Sequence, residues 1–184
     1  MKKVLAFFLA ACMLVLFVGC SGKMTPAEKF LLAVKKMDFT AMKNELIPDE
    51  KLGSLYLKLE TAPQEDTLLV LRNLYALVHY TIGEVSEAEN GVKTVRITLK
   101  TPDMERICNL ARVEAMASAD SAEQIVGNMI ADGSVSRSMM LENTFSVKMT
   151  EADGVWKIPY GDKENEAFAN ALAIEDMIAF FIKY

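Results

Sequence analysis

Residues Val92 to Lys100 follow an Asn90-Gly91 pair, and from Thr94 onward polar and apolar side chains alternate without an error. Successive side chains of a strand point to opposite faces, so this pattern demands an extended segment with Val95, Ile97 and Leu99 buried and Arg96, Thr98 and Lys100 in water. Asn-Gly tolerates positive φ at both positions, which a two-residue hairpin turn requires. The strand therefore pairs with the segment before the turn, from Thr81 through Val85. The same arrangement returns later, where Phe145, Val147 and Met149 alternate with polar residues, Asp153-Gly154 turns, and Trp156, Ile158 and Tyr160 come back. Two hairpins with one apolar face each are marginal alone and must be covered.

The cover is helical. Thr25-Pro26-Ala27-Glu28 reads as a capping box with proline at the first helical position, and Phe30, Val34 and Met37 follow at helical spacing. Asp38 caps a short second helix with Phe39, Met42 and Leu46 inward, closed by Pro48. A third helix is expected over Asp66 to Tyr80, with Leu68, Leu71, Tyr75 and Val78 in one stripe that Leu69 and Leu74 widen. Thr101-Pro102-Asp103 opens a helix that buries Met104, Ile107, Cys108, Ala111 and Ala115. Ser121 and Gln124 form a fresh capping box before Ile125, Met129 and Ile130, and Gly133 ends that helix. A last helix is expected to run unbroken from about Asp162 nearly to the end, with Phe168, Leu172, Ile178 and Phe181 inward. The order predicts an α+β fold, an antiparallel sheet of about four strands packed against helices.

The chain begins with two lysines and then an uncharged run from Val4 to Val18, the layout of a secretory leader. A membrane-spanning helix needs about 20 apolar residues, and this run reaches Gly19-Cys20-Ser21-Gly22 first. Phe17-Val18-Gly19-Cys20 resembles the bacterial lipobox, with Phe17 where leucine is usual and Leu16 one place earlier. That resemblance implies that Cys20 receives diacylglycerol and that the chain is cut just before it. Residues 1–19 would then be a signal peptide, residues 20–24 a lipidated tether, and residues 25–184 a single domain on the extracytoplasmic face of a bacterial membrane. An uncleaved anchor helix and ordinary secretion are the alternatives. At about 3.5 Å per residue, so short a tether holds the domain within roughly 20 Å of the bilayer.

Of the three cysteines, Cys12 leaves with the leader and Cys20 carries lipid, so Cys108 remains and no disulfide forms within the domain. The chain has 20 basic and 25 acidic residues; loss of Lys2 and Lys3 leaves 18 against 25, a net charge of −7. Such a surface repels nucleic acid, so no nucleic-acid partner is expected, and it repels anionic headgroups, so the acylated Cys20 must hold the bilayer.

The break at Met37-Asp38-Phe39, the strand running into Thr101-Pro102-Asp103-Met104, and the hairpin Asp153-Gly154-Val155-Trp156-Lys157-Ile158 resemble small bacterial lipoproteins of the nuclear transport factor 2-like (cystatin-like) superfamily. The resemblance implies a curved sheet wrapped against helices into a cone, whose mouth could hold an apolar ligand against Tyr75, Phe145 and Trp156. The superfamily includes dehydratases, isomerases and binding modules, so the fold leaves function open.

No catalytic set is found. The strand positions assigned to the buried face carry no general acid or base, and His79, the single histidine, has only Tyr80 and Thr81 beside it. Glu84, Glu87 and Glu89 read as a solvated strand edge. Asp132-Gly133 and Asp153-Gly154 lack the alternating ligands of a calcium loop, Met139-Met140 is not a copper motif, and no zinc spacing occurs, so neither metal nor cofactor is expected. The reading is a non-catalytic module that binds a protein partner. A small apolar ligand in the cone is the alternative, and an enzyme of the dehydratase or isomerase type is a further one.

Overall fold

The computed structural model describes residues 24–48 and 65–183. Cys20 and the leader lie outside the described residues. Four antiparallel strands form an open sheet in the order β1 (His79–Val85), β2 (Val92–Pro102), β3 (Met140–Ala152), β4 (Val155–Lys157). Eight helices accompany it among the described residues: α1 (Pro26–Lys36), α2 (Phe39–Glu45), α3 (Glu65–Ala76), α4 (Met104–Ala117), α5 (Ala122–Ala131), α6 (Ser134–Ser138), α7 (Glu166–Leu172) and α8 (Ile174–Lys183). The fold class is α+β, as the hairpins and caps require.

Both turns have the backbone their residues imply. Asn90 and Gly91 take φ of 51° and 72°, Asp153 and Gly154 take 53° and 76°, and Glu89 and Val92 exchange two backbone hydrogen bonds of 2.9 Å. The β2–β3 register is unbroken from Val92 opposite Thr150 to Pro102 opposite Met140. It puts Val95 beside Val147 and Ile97 beside Phe145 on one face, and Thr98 beside Thr144 on the other, where their hydroxyls meet at 3.0 Å. Gly83 lies at a bulge in β1, where a Cβ would come within 3.2 Å of the Arg96 carbonyl oxygen.

The helices cover the apolar face. Val95, Ile97, Leu99, Val147 and Met149 are each at most 2% exposed and meet Phe30, Tyr75 and Phe168 from α1, α3 and α7. The caps fall at the expected residues: the Thr25 hydroxyl accepts from the Glu28 amide, one half of the expected capping box, the Asp38 carboxylate accepts from the Ala41 amide, and Ser121 and Gln124 bond reciprocally. After α2 the chain pairs with the far side of β4's extension, where the Ile47 amide donates to the Ile158 carbonyl.

Four expectations are corrected. The third helix stops at Ala76, where Leu77 and Val78 tighten the last turn with bonds to Leu74 and Tyr75, so His79 and Tyr80 belong to β1 and pair with Lys100 and Leu99. Leu69 is 55% exposed instead of widening the stripe. β3 starts at Met140, since β2 offers partners as far as Pro102. The last helix is two, separated by Ala173 in the left-handed region at φ 48°. The five-residue helix α6 was not anticipated.

Candidate functional site

The three aromatic residues nominated for a shared pocket occupy separate places. Tyr75 is fully buried, and its hydroxyl donates to the Leu172 carbonyl at 2.8 Å. Burial pushes its pKa well above the ordinary tyrosine value, with Tyr160, Cys108 and Asp176 adding in the same direction. Phe145 is half-buried and meets the Phe168 ring edge-on at 6.0 Å. Trp156 is half-buried at the far end of the sheet, where the Lys93 ammonium lies 4.5 Å above its ring. Tyr75 lies in the core with Phe145 and Trp156 packed against it, and none of the three lines either cavity described below. His79 is exposed on the open face of the sheet, and Glu84, Glu87 and Glu89 are exposed around the first hairpin. Among the described residues no group of three or more His, Cys, Asp and Glu is placed to hold a metal.

A concavity lies at the end of the sheet, where β2 turns into α4. The Asp103 carboxylate caps α4 by accepting from the Arg106 amide at 3.1 Å, and the Asp103 amide donates to the Met139 carbonyl. This fixes the start of α4 beside the start of β3. The break at Ala173 turns α8 across the same end, and Tyr75 anchors the break by satisfying the Leu172 carbonyl that α7 leaves free. Between these elements opens a groove of about 600 Å³. Its apolar part comes from Met104, Leu141, Met177 and Phe180, and the amides of Asn109, Asn143 and Asn170 stand around it. A second cavity of about 390 Å³, lined more by polar groups, lies on the other flank of the Ala173 break.

The groove's ionisable groups suit recognition better than chemistry. Asp103 is engaged as a cap. The Cys108 thiol contacts the Met177 sulfur at 3.4 Å, and burial pushes it up to about 11, Asp176 adding to the rise and Arg112 opposing it, so it is a neutral thiol at pH 7. Arg112 lies 5.9 Å over the Phe180 ring and donates to the Asn109 side-chain oxygen. The Thr101-Pro102-Asp103 signal revealed one wall of this groove in the sequence. The other wall depends on a helix break at an alanine, for which no glycine or proline gives notice.

No protein-family model and no curated protein matches the chain. A solved structure with some likeness is a crystal structure described as a lipoprotein, YcdA, of Bacillus subtilis, at 12% identity and a TM-score of 0.41. The likeness covers 79% of this chain and 57% of that one, so this chain spans little more than half of its length, and it carries no functional argument.

Proposed function

We propose that this chain is a bacterial lipoprotein, held by an acylated Cys20 at the extracytoplasmic face of a membrane, and that its domain is a non-catalytic interaction module. The lipobox-like stretch Phe17 to Cys20 and the uncharged run before it support the anchor. Thr25 caps α1 only five residues beyond Cys20, so the folded domain is a near neighbour of the bilayer. The likeness to nuclear transport factor 2-like lipoproteins rests on the hairpins and the α1–α2 break and agrees with this reading.

The observation that carries the binding role is where the space lies. The apolar face of the sheet is filled by the chain's own Phe30, Tyr75 and Phe168, while the groove at its end is open and combines apolar side chains with uncharged amides.

The anchor is tested by Cys20→Ala, with mass spectrometry of membrane fractions. The expected product is an uncut, unlipidated precursor, because both acylation and the cleavage that follows it need the thiol. A Cys20→Ala chain of mature length, cut at the same bond, would show that an ordinary signal peptidase handles the leader.

A further inference from the structure

We infer that the open edge of β3 beside the groove receives an extended strand from a partner polypeptide, one that alternates apolar residues with basic ones. The inference rests on the groove being a binding site and specifies what enters it.

The backbone supplies the first reason. Lys148 turns its amide and carbonyl away from β2, since both are held by the Asn165 side chain, at 2.8 and 3.0 Å. Orientation alternates along a strand, and the β2–β3 register has no slip, so Glu142, Thr144 and Ser146 turn their amides and carbonyls to the same side. All three residues are exposed. Among the described residues nothing pairs with them there, because β4 reaches only Thr150 to Ala152 and Asn165 extends the cover to Lys148 alone.

Exposed edges invite pairing, and the rest of this sheet is guarded against it. β1, the opposite edge, is bulged between Ile82 and Val85 and carries Glu84. β3 from Glu142 to Ser146 has no bulge, and Glu142 is its one charge.

The groove supplies the partner's chemistry. A strand added here would run for about five residues and send alternate side chains to the two faces of the sheet. On the inner face they would meet Leu141, 47% exposed, and Asn143, both of which line the groove. Basic residues fit those positions, and apolar ones the uncharged Thr144 and Ser146 on the outer face. Asp103, Glu105 and Asp176 line the groove with Arg112 as its one base, and Glu142 lies on the edge itself, so the complementary charge is positive.

The test is residue-resolved hydrogen exchange on the full-length chain in detergent micelles, with end-blocked heptapeptides that alternate valine with lysine or valine with glutamate as probes. The lysine peptide should slow exchange at Glu142, Thr144 and Ser146 by about tenfold or more. The glutamate peptide should do so far less, and the lysine peptide N-methylated at every second amide should not. Thr144→Pro removes an outward amide but no bond to β2, so it should keep the melting temperature and lose the protection. Thr144→Val removes only the hydroxyl facing Thr98 and should retain it. Equal protection by the N-methylated peptide, or none by either parent peptide, would overturn strand addition. So would protection already present in the free chain; if it rises with protein concentration, the occupant is a second copy. Peptide-induced shifts of the Met104 and Met177 methyls without amide protection would sink strand addition and leave the groove a binding site, whereas no shifts at all would count against both.

Discussion

Cys108 shows how one side chain's surroundings set its chemistry. Its thiol faces Met177 from a half-buried position, and burial holds the folded pKa near 11 against an ordinary value of 9.0. Between those values the unfolded chain has released a proton that the native chain still holds, so stability falls as pH rises through that window. Discounted for water on the thiol's exposed side, the loss should be about 1 kcal/mol, and Cys108→Ala should flatten it. Urea unfolding on either side of the window measures both. Trp156 makes the opposite point about location. The alternation around it suggests a core residue, yet it lies half-buried under Lys93 where β4 ends. Trp156→Ala should therefore cost about 1–3 kcal/mol by thermal unfolding, below the roughly 3–5 kcal/mol of a fully buried large aromatic.

At the scale of elements, the edge of the sheet is decided by Pro159 and Asn165. β4 pairs Lys157 with Thr150, and two residues on, Pro159 would face Lys148 but has no amide to give. The Asn165 side chain takes its place, accepting from the Lys148 amide and donating to the Lys148 and Pro159 carbonyls, all within 3.0 Å. The Lys148 ammonium adds contacts to Asp162 and Glu164 at 3.0 and 2.7 Å, and both raise its pKa. Asn165 is 0% exposed, and the Pro159 carbonyl keeps the Asp162 amide as a second donor, so Asn165→Ala would leave the Lys148 amide and carbonyl without this partner and should destabilise by about 1–3 kcal/mol in denaturant titration. A loss within a few tenths of a kcal/mol would mean that water replaces the amide. The hairpins, the caps and the inward faces of α1, α2 and α4 were legible in the sequence, because each rests on residues within one or two turns of one another. The Asn165 clamp was not, since it joins residues 17 apart through a side chain that imitates a peptide group.

For the whole molecule the division follows the range of the forces. Short-range stereochemistry acts within a few residues, so the sequence by itself determined the two hairpins, the face of each strand that is buried and the caps of α1, α2, α4 and α5. It also provided the leader and the cysteine on which the proposed anchor rests. The tertiary structure decided whether the sheet's apolar face is a container or a core. Tyr75, Phe145 and Trp156 look alike in the sequence as lining for a cone, but the volume between sheet and helices is set by how all the elements pack, and close packing leaves it filled. The same packing breaks the last helix at Ala173, where the Tyr75 hydroxyl 97 residues away accepts the role of the missing helical partner for Leu172. The groove follows from that break, and the open edge of β3 follows from where β4 stops. Neither is written in a local pattern, because each depends on contacts between segments that only the folded chain brings together.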